Sequence, residues 1–473
     1  MSDTDPAEHP APRRGDLTEG PILRSLVIFS IPTMLANLLQ TLGGTINTIW
    51  VGQLLGEGAL AATANGNIVV FLAFTFVFGF SMATTVRVGQ YFGARDTDAM
   101  RRVFGTGTGL CLAIALAVTV FGWTFARPLV HLLATPEAIV EPSLAYIRVS
   151  FLSMPLSTLG MIVSMGMRGV GDARSPFIAM VVQTVLGIAL NPLFILGAGP
   201  IPAMGIAGSA LANVVASLAS AAMMIGLTYA RDLPLRLRGP EFRYLVPARG
   251  ELGYVLSKGL PMGAQMLISS SAAVVMIGLV NREGMLTTAA YGAVLQIWNY
   301  IQMPSFAVSM AVSAMVAQNV GAGRHDRVGR ITMAGVWVTV LVTVVLTVAV
   351  LALDAPLLAL FLGKGSAAIA IAERIQILST WAWILGGVAM IMIGTLRSYG
   401  VVMVPLLIFF VAQYPARLGF YWLLYPSIGA DALWWSYVFG SAVTLAMTWW
   451  AYARGSWRSR RDDAMPAAPV NAA

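Results

Sequence analysis

Long stretches without a single charged residue recur along this chain of 473 residues. A helix needs about 20 residues with few or no charges to cross the hydrocarbon core of a bilayer. The charge-free intervals of about this length or longer are 25–56, 58–86, 103–126, 149–167, 175–230, 259–281, 284–323, 331–353, 375–396, 398–416 and 432–453. The interval 175–230 is interrupted by GAGPIP at 197–202 and therefore predicts two helices. The pattern predicts an all-α integral membrane protein with twelve transmembrane helices.

The charged residues are distributed unevenly between the two predicted sides of the membrane. Only 11% of the residues are charged, against about a quarter in ordinary soluble domains. If the N-terminus lies inside the cell, most of the 29 Lys and Arg fall in cytoplasmic segments, whereas the outer loops hold Arg127, Arg282 and Lys364. Cytoplasmic loops of membrane proteins carry such an excess of basic residues. We therefore expect both termini in the cytoplasm, and the net charge of +8 requires no nucleic-acid partner.

Both ends of the chain have the composition of tails. The N-terminal MSDTDPAEHPAPRRGD is rich in Pro, and no apolar core directly follows its basic residues, so a cleaved secretory signal is not expected. We expect a disordered cytoplasmic tail over residues 1–20 and a basic cytoplasmic tail over 454–473. Cys111 is the only cysteine and the three histidines are far apart in sequence, so no disulfide, metal site or cofactor is expected.

The two halves of the chain repeat each other at an offset of 228 to 229 residues. The matching strings are IP at 31–32 with LP at 260–261, SMATTVRVGQYFGA at 81–94 with SMAVSAMVAQNVGA at 309–322, and MRGVGDARSP at 167–176 with LRSYGVVMVP at 396–405. Three matches at one offset predict a duplication in which each copy holds six helices.

The duplication predicts how the two halves are arranged. An even number of helices gives both copies the same orientation in the membrane, and such parallel repeats are one plan of secondary transporters, with a central site between the repeats. We expect an N-terminal lobe over 21–230 and a C-terminal lobe over 251–453. The basic, Pro-rich stretch 231–250 is expected to be a cytoplasmic linker between them.

These repeated strings, together with IPTMLANLLQTLGGTINTIWVGQL in the first helix, resemble the multidrug and toxic compound extrusion (MATE) transporters. The resemblance extends over about residues 20–453 and is nearest to the DinF-like bacterial branch. It implies a two-lobed bundle with a central cleft in the bacterial inner membrane. It also implies export of amphipathic, often cationic, small molecules by alternating access, in exchange for H⁺ or Na⁺. We expect a monomer whose partners are small-molecule substrates and the lipid bilayer.

Carboxylates are missing from the places where the resemblance implies them. Similar transporters carry an aspartate before Thr-Ile in helix 1 and another before Pro in helix 5, where this chain has Asn47 and Asn191. NorM-type relatives carry acids in helices 7 and 10, and the matching positions here are Ser269 and Gly386. Because amides do not titrate near neutral pH, the sequence leaves open whether the coupling ion is H⁺ or Na⁺ and whether coupling is retained.

Polar side chains within the spans are the candidates for a binding cleft. An amide in hydrocarbon needs a partner or a water-filled cavity, so these residues either line the cleft or pack between helices. Aromatic faces hold organic cations, although Tyr and Trp are also ordinary residues of cores and membrane interfaces. The predicted cleft residues are Asn37, Gln40, Asn47, Gln183, Asn191, Gln265, Tyr291, Gln296 and Asn299.

Prolines and arginines within or near the spans are predicted gate or hinge elements. Proline leaves a backbone carbonyl without its helical partner and permits bending. The residues are Pro32, Pro261, Pro304, Arg168 and Arg397. The two arginines have the alternative role of anchoring helix ends at the lipid headgroups. Arg417, in helix 11, is expected to be a snorkelling or structural cation.

Two other classes of function fit the sequence less well. A lipid-linked precursor flippase of the same superfamily would need a cationic cleft and often extra helices, whereas this chain has few basic residues in mid-span. An enzyme would need a buried constellation of His, Asp or Cys, and Cys111 has no such partner in view. We therefore expect a transporter and no enzyme, with altered or lost ion coupling as an alternative within the family.

Overall fold

The computed structural model describes residues 15–132, 137–197, 200, 202–455 and 457, and over these residues it contains helices and no strand. The helices are α1 Ile22–Leu55, α2 Glu57–Gly93, α3 Thr97–Thr124, α4 Ala126–Leu132, α5 Val140–Gly169, α6 Arg174–Leu196, α7 Gly205–Ala230, α8 Arg249–Arg282, α9 Met285–Gly321, α10 His325–Ala352, α11 Asp354–Leu362, α12 Ala368–Ser379, α13 Ala382–Ser398, α14 Met403–Val411, α15 Arg417–Ile428 and α16 Asp431–Ala453. Short 3₁₀ turns lie at Glu137–Ile139 and Gly239–Leu245, and a π-helical turn, Ala412–Ala416, joins α14 to α15.

The long helices account for the twelve predicted spans. In the described part of the chain, ten continuous helical segments are long and apolar enough to cross a membrane, with α14 and α15 counted as one. Helices α12 and α13 form an eleventh span that bends by 44° at its break. Helix α16 has 23 residues and completes the twelve, although its four tryptophans give it a lower mean hydropathy than the eleven spans counted above. The all-α, twelve-helix fold predicted from the sequence is thus confirmed.

Each half of the chain packs around its own apolar core. In the N-terminal lobe, α1 to α7, the core includes Phe151 and Met154, which are almost fully buried. In the C-terminal lobe, α8 to α16, it includes Trp298 and Trp434. The helices are apolar on most faces, as expected where lipid replaces water on the outside of the bundle.

The two lobes meet where the repeated strings end, here called the motif end. A Cβ atom placed on Gly93 would lie 1.9 Å from the carbonyl oxygen of Gln318, and one on Gly321 would lie 1.8 Å from that of Gln90. Gly93 and Gly321 are equivalent in the two repeats, as are Gln90 and Gln318, so the contacts are reciprocal. This is the symmetry expected of two parallel repeats, and it requires glycine at both crossings.

Residues 15–20 differ from the disordered tail predicted for residues 1–20. The Leu17 amide donates to the Gln318 side-chain oxygen at 2.9 Å, and the Leu17 carbonyl accepts from Asn319 at 3.1 Å. Leu17 is buried in an apolar cluster that both lobes share. The sequence concealed this packing because one apolar residue among polar neighbours carries no periodic signal. The rest of the tail prediction, and most of the tail predicted over 454–473, lies outside the described residues.

Candidate functional site

The two amides predicted for helices 1 and 5 meet inside the N-terminal lobe. The Asn191 amide nitrogen on α6 donates to the Asn47 side-chain oxygen on α1 at 2.5 Å. The Ser209 hydroxyl on α7 donates to the same oxygen at 3.0 Å. Asn191 is 1% exposed, whereas Asn47 is partly buried. Three helices therefore converge on one amide oxygen, here called the amide centre.

Local sequence explains why these side chains converge. Gly208 allows α7 to approach α6 closely, because a Cβ atom at this position would lie 2.2 Å from the Phe194 carbonyl oxygen. This approach places Ser209 beside the amides. In α1, the hydroxyl of Thr48 donates to a carbonyl of its own helix and so does not compete for Asn47. Because Gly208 is small and Thr48 bonds within its own helix, the Asn47 oxygen is free to accept hydrogen bonds from α6 and α7.

One oxygen of the amide centre has no partner. The Asn191 side-chain oxygen is buried and accepts no hydrogen bond from any residue that the structure describes. A buried acceptor without a donor costs roughly 1–3 kcal/mol, so this oxygen favours a water, a cation or a donor group of a ligand. The centre combines donors and acceptors but contains no group that titrates near neutral pH.

The other predicted residues of the N-terminal lobe lie on the same two helices. Gln183 donates to the Ser217 hydroxyl at 3.3 Å and so joins α6 to α7. On α1, Asn37 is partly buried and Gln40 is exposed. Helix α1 carries Phe29 in the apolar cluster beside the motif end, and Asn47 lies 18 residues further on. At about 1.5 Å per residue, the amide centre lies about 27 Å along α1 from this end.

The predicted residues of the C-terminal lobe divide into buried and exposed sets. Tyr291 is buried, and its hydroxyl contacts that of Tyr437 within an aromatic cluster that includes Trp298. Gln296 and Asn299 are exposed on α9. Tyr291 therefore belongs to the lobe core, whereas the two amides lie on an open surface. The structure does not bring any of these residues to the amide centre.

Gln265 and Arg397 are joined to each other. The Arg397 guanidinium donates to the Gln265 side-chain oxygen at 2.5 Å, and the Gln265 amide donates to the Val402 carbonyl at 3.2 Å. Gln265 is 3% exposed, so it ties α8 to the segment after α13. Arg168, the equivalent of Arg397 in the first repeat, is also buried at its helix end.

The three predicted hinge prolines lie inside helices that continue past them. Pro32 is in α1, Pro261 in α8 and Pro304 in α9. Pro32 is partly buried, and the other two are buried. Their role as hinges stays a prediction.

One polar residue of the site was not predicted from the sequence. Ser209 completes the amide centre, but a lone serine in a helix of small residues has no distinctive pattern.

Arg417 was expected to be a snorkelling or a structural cation. It is buried at the start of α15, at 7% exposure, which favours the structural alternative.

The match to known proteins covers both lobes. The MatE family model matches residues 32–193 and 261–423, which include the amide centre residues Asn47 and Asn191. The chain belongs to the MatE family. These are the multidrug and toxic compound extrusion transporters, so the membership confirms the family that the repeated strings resemble.

Individual MATE-family relatives agree with this assignment. The chain is 30% identical over 442 residues to the probable multidrug resistance protein YoeA of Bacillus subtilis, which covers 93% of this chain and 95% of that protein. It is 28% identical over 221 residues, 46% of each chain, to DNA damage-inducible protein F of Escherichia coli. A crystal structure of MATE in complex with MaL6 superimposes with a TM-score of 0.87 at 19% identity, covering 96% of this chain and 100% of that one.

Proposed function

We propose that this MATE-family protein exports amphipathic small molecules across the inner membrane of a bacterial cell, by alternating access and in exchange for H⁺ or Na⁺. The observation that carries the proposal is the amide centre. Burial of polar groups in an apolar lobe costs free energy, above all where an acceptor has no partner. Such groups inside a membrane usually bind a ligand or an ion. Multidrug resistance is the role that the name of the Bacillus subtilis relative gives.

Several finer features belong to the same proposal. The excess of basic residues in the predicted inner loops supports a cytoplasmic position for both termini and for the motif end. The partial match to DNA damage-inducible protein F supports placement in the DinF-like branch. The protein is proposed to act as a monomer, because each lobe has its own core and the two lobes of one chain pack against each other.

Alternating access would use the contact between the lobes. In this conformation the reciprocal crossings of Gly93 and Gly321 close the motif end. The amide centre, about 27 Å along α1 from that closure, would then communicate with the opposite side of the membrane. Opening of the motif end would expose it to the cytoplasm. Transport therefore requires the lobes to separate at the glycine crossings.

The test is transport of ethidium by purified protein in lipid vesicles, with imposed proton and sodium gradients. In the wild type we expect export with weak dependence on the proton gradient, because the amide centre carries no titratable group. Asn47→Asp places a carboxyl beside Asn191 and is expected to make export depend on pH. Asn281→Asp, the same change at an exposed position, is the matched control and should behave like the wild type.

The outcomes separate the parts of the proposal. Absence of export under every imposed gradient would overturn the transport function. Strong proton-driven export that neither Asn47→Asp nor Asn191→Asp alters would retain the function and remove the amide centre from the coupling mechanism.

A further inference from the structure

One arginine of the C-terminal lobe, Arg417, is buried without a counter-charge among the residues that the structure describes. Arg417 follows the π-helical turn Ala412–Ala416 and begins α15, and it is 7% exposed. None of the ion pairs among the described residues includes it. A charged group inside a span is costly, and such groups usually pair or line a functional pathway. π-helical turns are also frequent at functional sites.

The guanidinium is held in one orientation by its neighbours. One terminal nitrogen, Nη1, donates to the Gln413 side-chain oxygen at 3.1 Å. The Tyr437 ring lies against the guanidinium, with 3.4 Å between the ring centroid and the guanidinium carbon. Gly440 on α16 packs beside the arginine stem, since a Cβ atom placed there would be in van der Waals contact with the Arg417 Cβ at 3.5 Å. A long, flexible side chain is thereby fixed before any ligand binds.

The opposite edge of the guanidinium is unused. The Nε and Nη2 atoms are buried, and neither donates to any residue that the structure describes. These two nitrogens form the edge that holds the two oxygens of a carboxylate or phosphate in parallel. Arg374 in the same lobe uses this edge, because its Nε and Nη2 donate to the two carboxylate oxygens of Asp431. Arg417 presents the same edge with no acid opposite.

We propose that Arg417 is the binding site for an oxyanion, namely a carboxylate or phosphate group carried by the transported substrate. This inference rests on the proposed export function and adds amphipathic molecules with an anionic group to its substrate class. Arg417 supplies the bidentate edge, Gln413 fixes its rotation and Tyr437 supports its plane. Because the edge is shielded from solvent in this conformation, the substrate would reach it when the surrounding helices move during the transport cycle.

Binding of two matched probes tests the site directly. Purified protein in lipid nanodiscs is titrated with 4-fluorobenzoate or with its neutral isostere 4-fluorobenzamide, and binding is read from the broadening of the ¹⁹F resonance. We expect fluorobenzoate to bind the wild type at least fivefold more tightly than fluorobenzamide. Arg417→Gln should abolish this preference, and Arg417→Lys should reduce it, because an ammonium keeps the charge but lacks the planar fork.

Variants of the supporting tyrosine provide a control that leaves the arginine in place. Tyr437→Phe keeps the aromatic face and should retain the preference for fluorobenzoate, whereas Tyr437→Leu removes the face and should weaken it. Arg374→Gln removes an exposed arginine of the same lobe and should change nothing. Circular dichroism and size-exclusion chromatography establish that each variant is folded, and the Tyr437 pair tests the site even where Arg417→Gln fails to fold.

The results distinguish this inference from the function on which it rests. Equal binding of the two probes to the wild type, or a preference that survives in Arg417→Gln, overturns the oxyanion site. Export of ethidium by the same preparation would then leave the proposed function intact. Specific binding of fluorobenzoate without export of any probe would instead support the site and contradict the transport function.

Discussion

At the level of single residues, the difference between an amide and a carboxylate determines whether the amide centre of the N-terminal lobe can bind and release protons. Asn47 and Asn191 occupy the places where the resemblance implies acids, and the structure shows them bonded to each other. Two carboxylates in such contact would share a proton, because like charges at this distance cannot both ionise readily. Two amides instead form an uncharged pair that does not respond to pH. The amide centre therefore lacks the protonation chemistry that a pair of carboxylates would supply.

Asp354 is a buried acid at the start of α11, outside the membrane-spanning helices. Its carboxylate accepts a hydrogen bond from Gln376 at 3.0 Å, and it is 8% exposed. Burial raises the pKa of Asp354 from 3.8 to about 6, against the opposing effect of the Gln376 hydrogen bond, and the nearby charge of Glu373 raises it further. The folded protein therefore binds a proton at this residue over a pH range in which the unfolded chain has released it.

This shift predicts a pH dependence of stability. Between about pH 4 and pH 6 the folded state holds more protons than the unfolded state, so the free energy of unfolding should fall as the pH rises through this range and stay level above it. The fall should be roughly 1–3 kcal/mol, at about 1.4 kcal/mol per pKa unit. Asp354→Asn mimics the protonated carboxyl and should flatten the profile. Thermal unfolding followed by tryptophan fluorescence at several pH values measures the effect.

Replacement of an exposed acid provides the comparison. Glu57→Gln removes a carboxylate at the exposed start of α2 and should leave the slope between pH 4 and pH 6 in place. An unchanged slope in Asp354→Asn would show that another group causes the pH dependence.

At the level of helices, glycine determines where the lobes cross. Gly93 on α2 and Gly321 on α9 each lie against the backbone of the facing helix, without space for a methyl group. Gly79 likewise lies against the backbone at Gly263, where α2 crosses α8. In a membrane, where lipid is as apolar as the side chains, close backbone approach of this kind supplies much of the attraction between helices.

Addition of one methyl group at a crossing should therefore separate the lobes. Gly93→Ala is expected to cost roughly 1–3 kcal/mol, the usual penalty of overpacking, and to reduce ethidium export, because the motif end can no longer close. Gly329→Ala is the matched control, since this helical glycine of α10 has open space around its Cβ position. Thermal unfolding and vesicle transport of both variants test the effect. Equal behaviour of the two variants would contradict the role of the crossing.

At the level of the whole molecule, one side chain joins the two lobes to the N-terminal segment. The Gln318 amide donates to the Gly169 carbonyl of the N-terminal lobe at 3.0 Å, and its oxygen accepts from the Leu17 amide. Gln90, the equivalent residue of the first repeat, donates to the Ser398 carbonyl of the C-terminal lobe at 2.9 Å. The closed motif end is thus held by polar contacts at equivalent positions as well as by glycine packing.

Loss of the Gln318 amide should shift the balance between conformations. Gln318→Leu leaves buried backbone groups without partners, at a cost of roughly 1–3 kcal/mol for each, and only while the motif end is closed. We expect a larger population with separated lobes. Spin labels at Arg174→Cys and Arg330→Cys, on different lobes with Cys111→Ser as background, measure the distance by electron paramagnetic resonance. A distribution like that of the unmutated labelled protein would show that Gln318 does not hold the closure.

The sequence anticipated the architecture more fully than the chemistry. Charge-free stretches predicted the twelve helices, because a span must exclude charge along its whole length. This property is visible in each continuous segment of the sequence by itself. The duplication predicted the pairing of Gly93 with Gly321 as equivalent residues. The sequence did not predict that Gln265 ties α8 to the segment after α13, and it left open whether Tyr291 lines the cleft or lies within a core. Periodicity assigns a polar residue to a face of its helix but does not say what covers that face.

The sequence by itself determined that this chain spans the membrane as two parallel six-helix repeats without an acid at the usual positions. Those properties depend on composition, spacing and repetition along one dimension. Only the tertiary structure decided that Asn47, Asn191 and Ser209 share one oxygen, and that no acid of the described residues lies opposite the open edge of Arg417. A hydrogen bond depends on distances of about 3 Å between groups far apart in the chain, and these distances exist once the helices have packed.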